Sequence, residues 1–496
     1  MIRSPSAIHI LLVSTISMVA CLEHINPSPD EATIFSLIRK LITTQYGYPL
    51  VSYATFALRT LARLKSTNSF YHLRELTTPE TTAVVRPNVD TLYSASVIDL
   101  SHHDVIVDVP VVDERFWVFP FYDVYGNNYA NLGNVFNSSA GKYLLRYSPS
   151  SNETVGVQRC DETQSEEYED CRGLRGWINA PTPYGAILAR LVVKNNGPDL
   201  DKIHAIQDQI HISTVPRKRT QKIPPLTISM LNSSLSSDPA TRIMQMAARF
   251  APHNPPRNIS DLARVNSNLK AAGIRDGVYR PQVRNLTAAA ATAAATVSKA
   301  FALPANHIDF ENDWQSVSDT AQGDFNTNYE MRAFVTNWAY LIVDNIVALY
   351  PMYDPTASSS VHELGANEAY LFTFNRKPAL AKNGFWSLTL YNADKFLIKN
   401  SLNRSSLGDR SNLTYADGMP VYGDDDRDEP FQLLIQPADI EPPANWTSNW
   451  LPGPSGGGQI DINLRFYGPG EGLQDGSWEY PVVEKQQAIS STGAQK

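Results

Sequence analysis

The residues of this chain best suited to chemistry are phenols, carboxylates and guanidinium groups set inside aromatic stretches. Asp90 and Tyr93 belong to RPNVDTLYSASV, and Tyr122, Asp123 and Tyr125 close FWVFPFYDVYG. Tyr391 ends FWSLTLY, which also carries Trp386; Asn403 and Arg404 follow in a loop, and Arg465 and Tyr467 lie in IDINLRFY. Tyr, Asp and Arg can donate, accept and stabilise charge, which is what proton transfer requires. On a regular strand Asp90 and Tyr93 face opposite sides, so one pocket takes only one of them unless a bulge intervenes. Metal chemistry finds no motif. His102-His103-Asp104 is consecutive, so its side chains diverge as on a surface turn. Asp424, Asp426 and Asp428 open like a calcium loop, but no Gly stands at the sixth position and no carboxylate at the twelfth. No nucleophile elbow, glycine-rich phosphate cradle or His-Glu-x-x-His is present, so neither metal nor cofactor is expected.

These residues need a scaffold, and composition says which kind. The 496 residues suggest about three structural units, and at 43% hydrophobic and 19% charged, with net charge −8, they hold ample apolar material for large cores. The acidic balance argues against a nucleic-acid partner. Twenty-three Tyr, eighteen Phe, eight Trp and thirty-three Pro favour strands and turns over a helical bundle. Residues 1–21, with Arg3 ahead of an apolar stretch from Ile8 to Ala20, read as a secretory signal peptide. No later segment is long and apolar enough to span a bilayer. Cys160 and Cys171 flank an acidic loop, so in an oxidising compartment they are expected to form a disulfide, not a reactive thiol. Sequons at Asn137, Asn152, Asn232, Asn258, Asn285, Asn403, Asn412 and Asn445 fit a glycoprotein of the secretory lumen or the exterior.

Along the chain, Ile34, Leu37, Ile38, Leu41 and Ile42 give 31–65 a helical face before TTQYGYPL breaks it. VIVDVPVVDERFWVFPFYDVYG reads as strand, turn and strand, buried on both faces. Extended stretches follow at Tyr143–Tyr147 and Trp177–Val193, then helix at 200–212. From 231 to 350 the composition turns helical: LTAAAATAAATVSKAFAL is a helix by propensity, and Phe334, Trp338, Leu341 and Asn345 keep helical spacing through Tyr350. Strands return after Pro351. In IDINLRFY, Ile460, Ile462, Leu464 and Phe466 alternate with polar positions, the mark of a half-buried antiparallel strand. FWSLTLY sets Trp386, Leu388 and Leu390 against Phe385, Ser387, Thr389 and Tyr391. The expected fold is mainly β: an N-terminal β-rich domain over 22–230, a helical segment over 231–350 and a C-terminal β-sandwich over 351–496.

RPNVDTLYSASVIDLS and FWVFPFYDVYGNNYANLG resemble the signature of the domain of unknown function numbered twelve-fifty-four. FWSLTLYNADKFLIKNSLNRSSLGDR, NWLPGP, LRFYGP and DGSWEYPVVE resemble its usual companion, numbered twelve-fourteen. The resemblance covers roughly 40–210 and 350–485 and implies two jelly-roll-like domains joined by a helical part. One departure is that the family's Asn-Arg-Asp-Thr is here Asn88-Val89-Asp90-Thr91, so no role resting on that Arg carries over. Secreted fungal members are similar to cofactor-free hetero-Diels-Alderases of tropolonic sesquiterpenoid biosynthesis. The implied activity dehydrates a hydroxymethyl tropolone-type polyketide to a quinone methide and directs its addition to an apolar terpene. An aromatic-walled cleft would hold these small apolar substrates. Asp90, Tyr93, Asp123, Tyr391 and Arg404 are then the catalytic candidates. Tyr122, Tyr125, Trp386, Arg465 and Tyr467 are the substrate-binding candidates. Two rivals remain: a secreted glycan-binding cell-surface protein and a carboxylate-dependent hydrolase. The sequence does not decide whether the protein is a homodimer.

Overall fold

The computed structural model describes residues 48–491 except 83, 148–152, 161–170, 172, 196, 218–221, 283–285, 338–340, 356–360 and 424–425. The leader, the apolar face at 34–42, Asn152, Asn285, Trp338 and Asp424 lie outside the described residues. Strand outweighs helix, 34% against 24%, in antiparallel sheets of two domains.

The first described helix, Tyr48–Leu64, starts within the stretch read as a break. Pro49 falls in its first turn, where a missing N–H costs nothing. One N-terminal sheet orders Phe70–His72, Thr91–Asp99, Tyr184–Val192, Trp117–Asp123 and Asn128–Gly133. Its partner orders His211–Pro216, His103–Val109, Gly141–Tyr147, Gly176–Ala180 and Gly156–Arg159, with one parallel pairing, Gly141–Tyr147 on Gly176–Ala180. The expected strand, turn and strand at 105–125 is not a hairpin, because its two strands belong to different sheets. His103–Val109 is buried on one face only, whereas all seven residues of Trp117–Asp123 are buried. Trp117, Phe119 and Phe121 fill the core between the sheets, while Phe116, Val118 and Tyr122 point out of the sandwich into a second cluster.

The middle of the chain carries helices Ile228–Asn232, Pro239–Phe250, Leu262–Ala271, Leu286–Ser298 and Tyr329–Asn337. It is not purely helical, since His307–Asp309 and Trp314–Val317 form a small sheet with Met352–Tyr353. The last helix stops well before Tyr350. Asp344 Oδ1 accepts the Ile346 N–H and Gln322 Nε2 bridges the carbonyls of Val343 and Ala348, stabilising a turn instead. Ala348–Leu349 then joins the C-terminal sheet beside Phe466 and Tyr467.

That sheet orders Ala348–Leu349, Gly458–Pro469, Leu380–Asn392 and Ser406–Gly408, with Val361–Leu364 also paired to Gly458–Pro469. The facing sheet orders Trp450–Gly453, Phe431–Pro437, Glu368–Phe374 and Val482–Gln487. Trp386, Leu388, Leu390, Ile460, Ile462, Leu464 and Phe466 fill the space between them with Phe372, Phe374, Leu433 and Ile435. The opposite face was expected to meet solvent. It is buried instead: Phe385, Ser387, Thr389, Tyr391, Asp461, Arg465 and Tyr467 are all at most 4% exposed, because the N-terminal sandwich covers them.

Within the N-terminal sandwich, Arg115 is held by Asp113 and by Asp199 at 2.9 Å and is 1% exposed. Replacing it leaves Asp199 buried without its cation. Arg115→Met should therefore lose about 3 kcal/mol of stability, read as a lower urea midpoint at unchanged slope; a midpoint equal to the native one would refute this role.

Candidate functional site

The seam where the two sandwiches meet on their side-chain faces gathers most of the polar candidates. On the C-terminal sheet, register sets Phe385 opposite Tyr467, Ser387 opposite Arg465 and Tyr391 opposite Asp461. On the N-terminal sheet Tyr93 pairs with Arg190. The Phe385 and Tyr467 rings stack at 4.3 Å, and Phe116 meets both edge-on at 5.4 Å.

Asp90 is 2% exposed. Its Oδ2 accepts from Ser387 Oγ at 2.6 Å and its Oδ1 from Arg410 Nη2 at 2.6 Å. The Arg410 guanidinium lies 4.5 Å over the Phe385 ring and also donates to the Val193 carbonyl. Asp409 stands 3.7 Å from Arg410 and accepts the Trp386 N–H. Burial pushes its carboxyl up to about 6, against the pull of Arg410 and that N–H. Asp90 precedes the strand, in a turn where Asn88 Oδ1 accepts the N–H groups of Asp90 and Thr91. The strand's alternation therefore does not apply to it, and both it and Tyr93 reach the seam.

A second group centres on Arg465, which donates to Thr389 Oγ1, Tyr391 Oη and the Arg86 carbonyl. Tyr391 Oη donates to the Pro87 carbonyl at 2.8 Å, Asn88 Nδ2 donates to Tyr467 Oη, and Arg86 pairs with Asp461. Burial raises the Tyr391 and Tyr467 phenols above their ordinary range. A third group is Arg190 among Tyr93, Tyr122 and Tyr350.

Four candidates lie apart from this set. Asp123 accepts from the Tyr125 and Asn127 N–H groups and from Asn127 Nδ2, so it shapes a turn. Tyr125 Oη donates to the Asn254 carbonyl toward the helical segment. Trp386 points into the C-terminal core and donates to Tyr422 Oη. Arg404 donates to the Thr447 and Trp450 carbonyls and so fastens a loop. Conversely, Arg190, Ser387, Asp409, Arg410 and Asp461 are seam residues that the sequence reading did not single out. Arg190 had a visible signal, a lone cation in the apolar run AILARLVV.

Cys160 and Cys171 form a disulfide. Asn137, Asn232, Asn403, Asn412 and Asn445 are exposed, while Asn258 is half-buried and accepts the Ser260 N–H. Among the described residues no group of three or more His, Cys, Asp or Glu is arranged to hold a metal, and no helix is long and apolar enough to cross a membrane. Gly453-Pro454-Ser455-Gly456-Gly457 has Gly-x-Ser-x-Gly spacing, but it is an exposed turn between two strands, not a strand-to-helix elbow. Neither of two cavities among the described residues is the aromatic-walled cleft that the sequence leads one to expect. One cavity, of about 20 Å³, is lined by Ser52, Tyr122, Asp123, Thr336 and Leu341 among others. Another, of about 80 Å³, lies beside Cys160. Both fall far below the roughly 300 Å³ at which small-molecule sites begin.

Two sandwiches closed face to face over a buried Asp, Arg and Tyr network define a tandem β-sandwich protein. Residues 67–214 match the model "Protein of unknown function (DUF1254)" and 347–471 match "Protein of unknown function (DUF1214)". The chain belongs to the family that carries this pair in tandem. It is similar in fold to the VPA0106 protein from Vibrio parahaemolyticus, at 17% identity and TM-score 0.59, covering 92% of this chain and 100% of that one. An uncharacterized protein from Burkholderia cenocepacia aligns at 11% identity and TM-score 0.41, covering 92% and 96%. No curated protein matches.

Asp409 gives the seam a testable pH signature. Its carboxyl binds a proton more tightly folded than unfolded, so the stability it contributes is present below pH 4 and is lost as pH rises through about 6. Asp409→Asn lacks that loss. Its unfolding free energy should gain about 2 kcal/mol on the native protein between pH 4 and pH 7; parallel urea curves across that range would refute the assignment.

Proposed function

We propose that the seam is the acid–base site of a cofactor-free cyclase working on small apolar natural products in the secretory lumen or outside the cell. The observation that carries the reading is the pairing of two carboxyls with different surroundings on one guanidinium. Asp90 is bound directly to Arg410 and Ser387, while Asp409 is held near neutrality. Carboxyls separated in this way can divide the roles of charge stabiliser and proton carrier.

In the reaction that the family resemblance suggests, the hydroxymethyl C–O bond of a tropolone-type partner breaks. The departing hydroxyl takes up a proton and leaves as water, and the ring hydroxyl gives up its own proton, leaving a neutral quinone methide. Protonated Asp409 supplies the first proton, the second is released to solvent, and solvent returns a proton to Asp409, so the enzyme regains its starting state. The quinone methide then adds to an alkene with no further proton movement. Keeping it from bulk water is the task of the rings of Phe116, Phe385 and Tyr467. Because these rings now pack the seam, a substrate enters only as they swing aside.

The glycan-binding alternative is less well supported. It calls for exposed rings, and among the described residues no Trp, Tyr or Phe is exposed. Location in the lumen is supported by the leader-like first 21 residues, the disulfide and the five exposed sequons; a mobility shift on treatment of the native protein with an endoglycosidase checks it, and an unshifted band speaks against it.

Incubating purified protein with a hydroxymethyl tropolone and a sesquiterpene alkene should give one stereoisomer by chiral chromatography. Asp409→Asn should lower kcat by about 10²-fold or more at retained fold. Identical product mixtures with and without protein would end the proposal.

A further inference from the structure

We propose that Arg190 anchors a binding site for a planar, conjugated oxyanion at the seam, so that the substrate is held in its deprotonated form. In naming the substrate's charge the inference deepens the reading above and rests on it for the substrate's identity; the binding site itself rests on the surroundings of one side chain.

Arg190 is 5% exposed, and among the described residues no carboxylate lies within ion-pair distance of it. Its surroundings are phenols. The guanidinium sits 5.6 Å from the centre of the Tyr93 ring, and both Tyr122 Oη and Tyr350 Oη are 3.4 Å from its nitrogens. Only one hydrogen bond is short, from Nη2 to the Leu341 carbonyl at 2.7 Å. Nε has no hydrogen-bond partner among the described residues. A guanidinium offers five N–H groups in a planar fork matched to two oxygens of one anion. Here Nε is unspent and the contacts to Tyr122 and Tyr350 are long.

Two other buried arginines show what a structural role looks like. Arg115 is clasped by two carboxylates. Arg465 spends its terminal nitrogens on Thr389, Tyr391 and the Arg86 carbonyl. The ion pairs across the seam, Arg86 with Asp461 and Arg410 with Asp90, consume the nearby carboxylates. Arg190 therefore leaves a cationic charge in a buried region with no carboxylate of the described residues against it. A buried cation without a counter-ion is costly, and an incoming anion relieves that cost.

The neighbours fit a ring-bearing anion better than a small inorganic one. Tyr93 and Tyr350 are half-buried, so solvent touches the cluster at those two rings. Tyr122 and the Leu341 carbonyl, both partners of Arg190, belong to residues that line the 20 Å³ cavity. Aromatic walls with a cation at their base suit a flat conjugated anion, which can stack and pair at once.

The test uses the full-length protein and calorimetric titration at pH 8, with tropolone as the ionised probe and its O-methyl ether as the neutral one. The native protein should bind tropolone, and the ether at least ten-fold more weakly. Arg190→Met should weaken tropolone binding by about thirty-fold or more while its ligand-free melting temperature stays the same or rises, since a lone buried charge is gone. Arg190→Lys, which keeps the charge without the planar fork, should fall between the two and serves if the Met variant does not fold. Absence of tropolone binding, equal affinity for the ether, or unchanged affinity in the variants would overturn the site. The two readings fail separately. Tropolone binding lost in Arg190→Met with no cyclised product sinks the cyclase alone, and stereoselective product with unchanged binding in the variant sinks the anion site alone.

Discussion

Everything in this molecule depends on closing two polar sheet faces against one another. An antiparallel sheet commonly buries one face and wets the other, but here one sheet of each sandwich is largely dry on both faces. The fold brings partners to several of their polar groups from distant sequence: Arg86 for Asp461, Arg410 for Asp90, Asn88 for Tyr467. Breaking one leaves the other stranded, so the two domains are coupled through electrostatics more tightly than by ring packing alone.

The helical middle contributes to that closure. Its last helix ends early so that Ala348–Leu349 can add a strand to the C-terminal sheet, and Leu341 presents its carbonyl to both Tyr122 and Arg190. A segment that composition marks as a connector thus finishes one sheet and lines the seam.

Alternation made the C-terminal core legible from sequence: Ile460, Ile462, Leu464 and Phe466 face inward as their spacing requires. The same rule misread the other face, because period two says which residues share a side but not what covers that side. Asp461 and Ser387 look solvent-facing until a second domain is placed on them. The run FWVFPFYDVYG carries more information than its strand pattern alone, since burial on both faces of Trp117–Asp123 means two neighbours, a partner sheet and a partner domain. Asp90 escaped its expected opposition to Tyr93 because it belongs to a turn, and Arg404 looked chemical only because its loop backbone partners are invisible in sequence. Arg190 was missed for a different reason. A single cation among aliphatic residues reads as an outlier in a strand, and only the phenols gathered around it from two strands and a loop give it meaning.

The disulfide also bears on how copies of this protein behave toward each other. The second N-terminal sheet ends in Gly156–Arg159, four residues long, and the chain leaves it directly into Cys160. An outermost strand this short, tethered at its end, shows a neighbouring molecule few open amide and carbonyl groups to extend. That margin is thereby a poor template for fibre growth.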